Sequence, residues 1–330
     1  MSIKPSQGAK FARIMSVGGA RGSRVVDNAE MCTMIESSDE WIQQRTGIRE
    51  RRWVADGEDA ITLGTAAAAK AIEKAGLQPS DIDAILVSTV SHFMQTPSMA
   101  CIIADKLGMP EPAAFDLSAA CAGFCYGVGM ADGMVRAGSA KHVLVLGVEV
   151  LSRYTDFTDR STAFLFGDGA GAVVIGPSDT PSIGPTLWGS DPSQHEVITI
   201  DDWREDRSPE EGGPYIHMEG RKVFKWATTF IAGKAREALE LAGLTPEELD
   251  VFIPHQANNR ITDSMLRHLK LPADVVVSRD IVSMGNSSAA SVPLAMEALL
   301  DSGDATSGQT ALMIGFGAGL VYAGQTVLLP

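Results

Sequence analysis

The sequence predicts an α/β fold made of two similar halves. The run AGLQP…IDAILV within residues 75–87 is matched by AGLTP…LDVFI within residues 242–253. A second pair, GDGAGAVV at 167–174 and GFGAGLVY at 315–322, agrees in its glycines. The 330-residue chain has 33 glycines and 6% aromatic residues, a composition typical of closely packed helices and sheets.

Each half is expected to repeat a helix, a glycine stop and an apolar strand. Helical runs at 63–74 and 231–241 end before a glycine, a proline follows, and an apolar segment then begins. Two such halves would stack into one pseudo-symmetric body. Prolines and serines cluster between residues 176 and 184, so we place the boundary there and divide the chain into domains 1–180 and 181–330.

The glycine-rich runs and one acidic segment are expected to lie between the regular elements. Both glycine runs are interpreted as turns that enter a strand. Because they lack GxGxxG spacing and no helix follows them, a dinucleotide site is not expected. The polar segment 188–213 is interpreted as a surface loop inserted in the second half.

Charge and hydropathy exclude several classes of function. A formal net charge of −14 argues against general nucleic-acid binding. The N-terminus is polar, and the longest apolar stretch, 311–324, is interrupted by glycines and shorter than the roughly 20 residues of a membrane helix. The four cysteines form no CxxC pair and no zinc-like cluster. We therefore expect a cytoplasmic protein with no metal, no disulfides and no membrane segment.

Cys121 is the first candidate for chemistry. It follows a strand-like segment, 113–117, and precedes small residues with helical potential, 122–135. A cysteine at such a turn would face solvent at a helix N-terminus, where the helix dipole lowers a thiol pKa towards neutrality.

His255 and Asn286 complete a plausible acyl-transfer set. His255 follows the apolar strand 250–253, at the sheet edge where α/β proteins gather ligand sites, and Asn286 precedes a predicted helix, 289–300. Taken singly, a structural histidine and a capping asparagine are equally good interpretations. Together, a thiol, an imidazole and a carboxamide can carry an acyl group and hold developing negative charge.

These segments resemble the β-ketoacyl-acyl-carrier-protein synthase III family of the thiolase-like superfamily. The resemblance extends over nearly the whole chain, from about residue 14 to residue 329. The matching motifs, in order, are SDEWI (38–42) with RTGI (45–48), the Cys121 segment DLSAACAGF (116–124), FGDGAG (166–171), HQAN (255–258) followed by Arg260, and GNSSA (285–289).

The resemblance implies a thiolase-like, five-layered α-β-α-β-α fold and a homodimer. It also implies a decarboxylative condensation that starts fatty acid biosynthesis. Cys121 would take the acyl group of an acyl-CoA primer, and malonyl-acyl-carrier protein would then lose CO2 while His255 and Asn286 hold the enolate oxygen. The backbone N–H groups of Cys121 and Ala318 would form a second oxyanion hole, and no cofactor or metal is needed.

The same resemblance assigns substrate contacts to residues outside the catalytic three. Trp41 and Arg160 would enclose the adenine of CoA, Arg45 would meet phosphate, and Asn258 would bond the pantetheine arm. A basic face would dock the acidic carrier protein; its residues are Lys225, Arg260 and Arg267.

Thr96 is expected to set the size of the acyl pocket. It belongs to the segment 91–97, from which the dimer partner lends a residue to the pocket in this family. Members restricted to short primers tend to have phenylalanine at this position, so a threonine would leave space for a longer or branched acyl group.

Several alternatives compete with this interpretation. A thiolase would need a second cysteine near the C-terminus, and no cysteine follows Cys125. A type III polyketide synthase would release its product without a carrier protein, which the basic face and the HQAN motif disfavour. A related ketosynthase III-like enzyme of polyketide or secondary metabolism stays open, as does a non-catalytic acyl-binding partner.

Overall fold

A computed structural model of the chain describes residues 3–202 and 213–330. The N-terminal half contains, in chain order, β1 (Phe11–Arg21), β2 (Arg24–Asp27), α1 (Asn28–Met34), α2 (Asp39–Thr46), β3 (Glu50–Trp53), α3 (Ala60–Lys74), β4 (Ala84–Ser88), α4 (Met99–Leu107), β5 (Ala113–Leu117), α5 (Gly123–Ala137), β6 (Val143–Val150) and β7 (Asp168–Ser178).

The C-terminal half repeats much of this order. Its elements are β8 (Leu187–Gly189), β9 (Ile198–Ile200), β10 (Ile216–Met218), α6 (Gly220–Trp226), α7 (Ala232–Leu241), β11 (Val251–Pro254), α8 (Asn259–Leu269), β12 (Val276–Val277), α9 (Ile281–Met284), α10 (Ser291–Ser302), β13 (Thr310–Gly317) and β14 (Val321–Leu328). A π-helical turn, Ala227–Ile231, joins α6 to α7.

The two main sheets have the same topology, which confirms the predicted pseudo-symmetric α/β fold. One has the strand order β1-β7-β6-β4-β5, and the other has the order β8-β14-β13-β11-β12. In both sheets the first three strands are antiparallel neighbours, and the remaining two pairs are parallel. Because every pairing direction is repeated, β1 corresponds to β8, β4 to β11, β5 to β12, β6 to β13 and β7 to β14.

The helices and sheets form five layers. Helices α3 and α4 pack on the outer face of the first sheet, and α7 and α8 lie on the outer face of the second. Helices α5 and α10 lie between the sheets and contact strands of both. The order is therefore α-β-α-β-α, as the resemblance implies.

The alternation of side chains between the two faces of each strand explains these layers. In β11, Val251 and Ile253 belong to the middle core, whereas Phe252 faces the outer helices. In β13, Met313 belongs to the middle core and Leu312 faces the outer helices. Successive side chains of a strand point to opposite faces, so a strand covered on both faces is apolar throughout.

The helix ends follow the signals in the sequence. Asp59 and Thr62 form a capping box that starts α3. Gly76 and Gly243, just after α3 and α7, adopt φ angles of +69° and +76°. Only glycine takes this left-handed conformation without steric cost, so the AGL runs end both helices.

The second pair of similar glycine-rich runs, 167–174 and 315–322, does not lie in equivalent elements. The run 167–174 lies mostly inside β7, which begins at Asp168, whereas the run 315–322 includes the turn between β13 and β14. The prediction of two turns entering strands is therefore wrong for the first run. Its glycines are explained by packing, because a Cβ at Gly171 would lie 2.6 Å from Pro293 Cγ of the middle layer.

The acidic segment is more ordered than a simple surface loop. Residues 187–189 form β8 at the edge of the second sheet, and β9 pairs with β10 as a small separate hairpin. Residues 203–212 lie outside the described part of the chain. The period-two pattern in β8 and β9 is only three residues long, too short to distinguish a strand from a loop.

The two halves share their middle layer. Glu297 of α10 accepts hydrogen bonds at 2.6 Å from the Gly19 N–H and from Arg21 Nη1, both on β1 of the other half. The chain passes from β7 to a bridge between Ile183 and Val327 of the second sheet. The division into domains 1–180 and 181–330 stays a prediction. Among the described residues, no helix is long and apolar enough to cross a membrane.

Candidate active site

The three predicted catalytic residues line one cavity of about 930 Å³. Cys121 lies in the turn after β5, His255 follows the end of β11, and Asn286 lies in the loop between α9 and α10. These are strand ends or loops at the interface of the two halves. The fold thus brings together residues that are 134 and 31 positions apart in the sequence.

Cys121 is held by a strained turn and by a glycine. Ala120, immediately before it, adopts φ +45°, an uncommon conformation for a residue with a side chain. A short 3₁₀ turn, Ala120–Ala122, then leads into α5. A Cβ at Gly317 would lie 2.8 Å from Cys121 Cβ and 2.9 Å from its Sγ. Only glycine therefore allows the β13–β14 turn to approach the sulfur.

The Cys121 thiol is less acidic than predicted. It is partly exposed at the cavity, yet burial raises its pKa to about 12. A hydrogen bond with the Ser288 side chain lowers this pKa, and the charge of Glu149 raises it. The predicted depression towards neutrality is wrong, because the cost of burying a thiolate outweighs the short turn that precedes α5.

His255 is held as a neutral hydrogen-bond donor. Its Nδ1 lies 2.7 Å from Ser291 Oγ, and that oxygen accepts a hydrogen bond from the Gln256 N–H at 3.4 Å. When the Ser291 hydroxyl donates to His255 Nδ1, Nε2 carries the ring proton and can donate to a ligand in the cavity. Burial lowers the His255 pKa to about 3, which favours the uncharged ring.

Asn286 presents its amide nitrogen to the cavity. Its backbone is fixed by hydrogen bonds between Asn286 N–H and Leu165 O at 2.8 Å and between Gly167 N–H and Asn286 O at 3.0 Å. Its Oδ1 accepts the Ser288 N–H at 2.9 Å. With the amide oxygen engaged, the NH2 group is the part of Asn286 that can donate to a ligand.

The arrangement can support acyl transfer through a thiol. A thiol, an imidazole and a carboxamide line the same partly enclosed space, and Ala318, next to the close-packed Gly317, also lines it. Among the described residues, no group of three or more His, Cys, Asp or Glu side chains could hold a metal ion.

Comparisons with known proteins identify the family. Models of 3-oxoacyl-[acyl-carrier-protein] synthase III and of its C-terminal part match residues 115–192 and 239–329. The chain is 56% identical over 340 aligned residues to "Beta-ketoacyl-[acyl-carrier-protein] synthase III 1" of Streptomyces coelicolor, with 99% of each chain covered.

The chain belongs to the β-ketoacyl-[acyl-carrier-protein] synthase III family. Members of this family are condensing acyltransferases of fatty acid synthesis with a thiolase-like fold.

Solved structures agree with this assignment. The crystal structure of the priming β-ketosynthase of the R1128 polyketide biosynthetic pathway superposes with a TM-score of 0.95 at 46% identity, covering 100% of this chain and 98% of that one. The synthase III of Aquifex aeolicus superposes with a TM-score of 0.90 at 37% identity, covering 96% and 99% of the two chains. The predicted thiolase-like fold is confirmed.

In this synthase III, the residues predicted to bind CoA cluster around Trp41. The guanidinium carbons of Arg45 and Arg160 lie 5.4 Å and 5.2 Å from the indole ring centroid. Trp41 and Arg45 line the cavity. The edge of Phe164 also contacts the indole, at 5.3 Å between centroids. The structure therefore brings these three predicted residues together, with Trp41 and Arg45 at the cavity wall.

Asn258 lines the cavity, but much of its amide is engaged within the protein. It starts helix α8 by accepting the Arg260 N–H at 2.9 Å, and its Nδ2 donates to Arg45 O at 2.9 Å. One amide hydrogen is left for a ligand. Asn258 thus also connects the α8 start to the Arg45 turn.

The three residues of the predicted docking face are exposed on two neighbouring helices. Lys225 lies on α6, whereas Arg260 and Arg267 lie on α8. Arg260 lines the cavity, and its guanidinium carbon lies 4.9 Å from the Phe224 ring centroid. This contact joins the two helices beside the cavity.

Thr96 is exposed on the loop 91–97. His92, Phe93, Met94 and Gln95 of this loop line the cavity of the same chain, but Thr96 is not brought into it. The prediction placed Thr96 in the pocket of the dimer partner, and a single chain does not test it. It stays a prediction.

Sequence reasoning missed four residues that support the site. Ser291 is hydrogen-bonded to His255 Nδ1, Ser288 holds Asn286, Phe316 packs its ring 5.2 Å from the His255 ring, and Glu149 is buried behind the cavity. The serines belong to or adjoin the GNSSA motif. Phe316 and Glu149 lie in apolar strands and gave no separate signal.

Gly317→Ala is predicted to disable the site without unfolding the protein. The new Cβ would overlap Cys121, and a displacement of about 1 Å can cost about 100-fold in rate. Condensation should therefore fall at least about 100-fold in steady-state assays. Gly133→Ala is the matched control, because Gly133 lies on α5 with nothing within 4 Å of a new Cβ. That variant should keep full activity and melt at the same or a higher temperature. Equal activity of the two variants would contradict the prediction.

Proposed function

We propose that this chain joins an acyl-CoA primer to malonyl-acyl-carrier protein, with Cys121 carrying the acyl group between two half-reactions. The observation that supports this most directly is the shared cavity, in which one thiol faces two neutral hydrogen-bond donors. The name of the Streptomyces coelicolor relative points the same way.

In the first half-reaction, the Cys121 sulfur attacks the thioester carbonyl of the primer. The carbonyl oxygen becomes negative and is stabilised by the backbone N–H groups of Cys121 and Ala318. CoA then departs and leaves an acyl thioester on Cys121. Backbone donors fixed by a close-packed turn need no reorganisation during this step, which is why such donors are effective.

In the second half-reaction, His255 and Asn286 act on the malonyl thioester. His255 Nε2–H and the Asn286 amide donate to its carbonyl oxygen, so that loss of CO2 leaves a stabilised enolate. The carbanion attacks the acyl group on Cys121, and the sulfur departs. A neutral imidazole can fill this role, because the ring nitrogen that carries its single proton donates a hydrogen bond to the oxygen.

Trp41, Arg160, Arg45 and Asn258 form the proposed CoA site. The indole and the guanidinium of Arg160 are at contact distance, 5.2 Å, which leaves no space for an adenine ring between them. Arg160 must therefore swing away when CoA binds. Arg45 supplies positive charge for a phosphate, and Asn258 supplies its remaining amide hydrogen for the pantetheine arm.

Lys225, Arg260 and Arg267 form the proposed docking face for the carrier protein. They are exposed cations beside the cavity on a chain whose formal net charge is −14. A local positive patch on an acidic protein steers an acidic partner to one orientation. The phosphopantetheine arm of the partner would then enter at Arg260.

A homodimer is the proposed assembly. β5 is the outer strand of the N-terminal sheet, and Phe93 and Met94 nearby in the chain are exposed. An unpaired edge strand beside exposed apolar side chains is a typical surface for pairing with a second copy. Thr96 of one copy would then line the acyl pocket of its partner.

Priming of a polyketide is the second candidate function. The R1128 enzyme, whose title names a polyketide biosynthetic pathway, is 46% identical and superposes over the whole chain. The two candidates share their chemistry and differ in pathway. Deletion of the gene distinguishes them, because loss of fatty acid synthesis and of growth supports the first candidate only. A non-catalytic acyl-binding role is disfavoured by the intact catalytic three.

Intact-mass spectrometry with a panel of acyl-CoAs tests the proposed function. The wild-type chain should gain one acyl mass that Cys121→Ser lacks. His255→Ala and Asn286→Ala should still gain it, but their discharge by malonyl-carrier protein should slow by about 100-fold or more. No mass gain with any acyl-CoA would refute the proposed primer class.

Thr96→Phe is predicted to shorten the preferred primer. In the same panel, labelling by branched and long acyl-CoAs should fall at least about tenfold, whereas labelling by acetyl-CoA should persist. Thr158→Phe, at another exposed threonine, is a control for bulk at the surface. An unchanged chain-length preference would remove Thr96 from the pocket.

Trp41→Ala and Arg267→Glu are predicted to separate the two substrates. Trp41→Ala removes the stacking surface, so the KM for acyl-CoA should rise while the KM for malonyl-carrier protein stays the same. Arg267→Glu should have the opposite pattern and weaken the dependence of the second KM on salt. Identical effects of the two variants on both KM values would contradict the assignment of two separate surfaces.

A further inference from the structure

Glu149 is a buried carboxyl group behind the cavity with no role in the steps above. It lies next to the end of β6 and is fully buried. Its Oε2 accepts the Ser91 hydroxyl at 2.7 Å, and its Oε1 accepts the Ser288 hydroxyl at 3.1 Å. The Val90 N–H lies 3.2 Å and 3.3 Å from the two oxygens.

The surroundings of Glu149 allow it to gain and lose a proton. Among the described residues it has no ion pair, so no cation holds it ionised. Burial raises its pKa to about 7, while its hydrogen bonds oppose that rise. A buried carboxyl with donors but no cation can exist in both forms near neutral pH.

Ser288 connects this carboxyl to the nucleophile. It adopts φ +47°, an uncommon conformation for serine, and this directs its N–H to Asn286 and its hydroxyl to Glu149. The turns that carry Ser288 and Cys121 pack against each other, both side chains line the cavity, and the Ser288 side chain lowers the pKa of the Cys121 thiol. Ser288 thus lies between the sulfur and the carboxyl group, and its hydroxyl is hydrogen-bonded to the carboxyl.

Electrostatics prevents the sulfur and the carboxyl group from both being anions. The charge of Glu149 raises the pKa of Cys121 and also that of Tyr154, the other titratable group described as facing it. A thiolate next to an ionised Glu149 is therefore disfavoured. If the thiol proton moves to Glu149, only one negative charge remains throughout.

We propose that Ser288 and Glu149 form a proton relay for Cys121, a role that deepens the acyl-Cys121 mechanism proposed above and rests on it. As the sulfur–carbon bond forms, the S–H bond breaks and its proton goes to Ser288 Oγ, while the Ser288 hydroxyl proton goes to Glu149. CoA leaves with the electron pair of its sulfur–carbon bond and takes a proton from water. Ser288 touches the reacting sulfur, and Glu149 is a positioning residue that acts through it.

The relay runs backwards in the second half-reaction. When the carbanion displaces the Cys121 sulfur, that sulfur leaves with its electron pair and receives the proton from Glu149 through Ser288. The enzyme returns to its starting state. Over both halves, one proton is consumed from water for each CO2 released, as the overall reaction requires.

The test is the pH dependence of Cys121 alkylation by iodoacetamide, followed on the peptide that contains Cys121. This readout needs no acyl-CoA, so it can fail independently of the proposed function. In the wild-type chain the rate should rise through pH 7 as Glu149 ionises. In Glu149→Gln this rise should disappear, and the rate at pH 7.5 should fall at least about tenfold. If Glu149 were only a nearby charge, the same variant would react faster, because removing the charge lowers the thiol pKa. An equal or faster rate would overturn the relay.

Two serine variants make the test independent of how well Glu149→Gln folds. Ser288→Ala keeps the carboxyl but breaks the relay, so it should also lose the rise near pH 7. Ser91→Ala removes an even shorter bond to the other oxygen of Glu149 and leaves the relay intact. It should keep the rise, moved to a slightly higher pH. Loss of the rise in both serine variants, or in neither, would refute the path through Ser288.

Discussion

Close packing in the middle layer is the constraint on which the site depends. Helices α5 and α10 lie between two sheets that leave no space for a side chain at several positions. A Cβ at Gly147 would overlap Ala289 O, one at Gly171 would lie 2.6 Å from Pro293, and one at Gly317 would lie 2.8 Å from Cys121. These contacts hold the starts of both middle helices against strands of both halves. The nucleophile and the amide donor meet because the two helix starts cannot move apart without opening the core.

Burial then determines the charge of each group in the site. It lowers the pKa of His255 and raises that of Cys121, so both groups favour their neutral forms, and it raises the pKa of Glu149 to about 7. Negative charge on the sulfur and on the substrate oxygens therefore develops only during reaction, where fixed donors can stabilise it. This explains how a chain with a formal net charge of −14 can perform chemistry that passes through anions. The total charge lies on the surface, and the site is governed by local groups.

The sequence predicts the fold well where local and long-range signals agree. The runs at 75–87 and 242–253 mark equivalent elements, because each combines a glycine helix stop with a buried strand. The two GxGxG runs do not mark equivalent elements, because a glycine in a strand can be required by close packing as well as by a turn. The motifs predict Cys121, His255 and Asn286 as a set, and the structure brings all three to one cavity, but the motifs do not predict the acidity of Cys121, because it depends on desolvation. Glu149 and Ser291 acquire meaning only from partners 139 and 36 residues away.

The pseudo-symmetry extends to the backbone of the site. Ala120 and Ser288 each begin a 3₁₀ turn at the start of a middle helix, with φ angles of +45° and +47°. In the first half, the strained residue is followed by the nucleophile. In the second half, the strained residue itself lines the cavity with Cys121, and its N–H orients Asn286 two positions earlier. A strained helix start directs N–H groups and side chains into the space between the halves, where water and substrate enter. The strained 3₁₀ turn at the start of each middle helix thus supplies the proposed attacking group from one half and its supporting donors from the other.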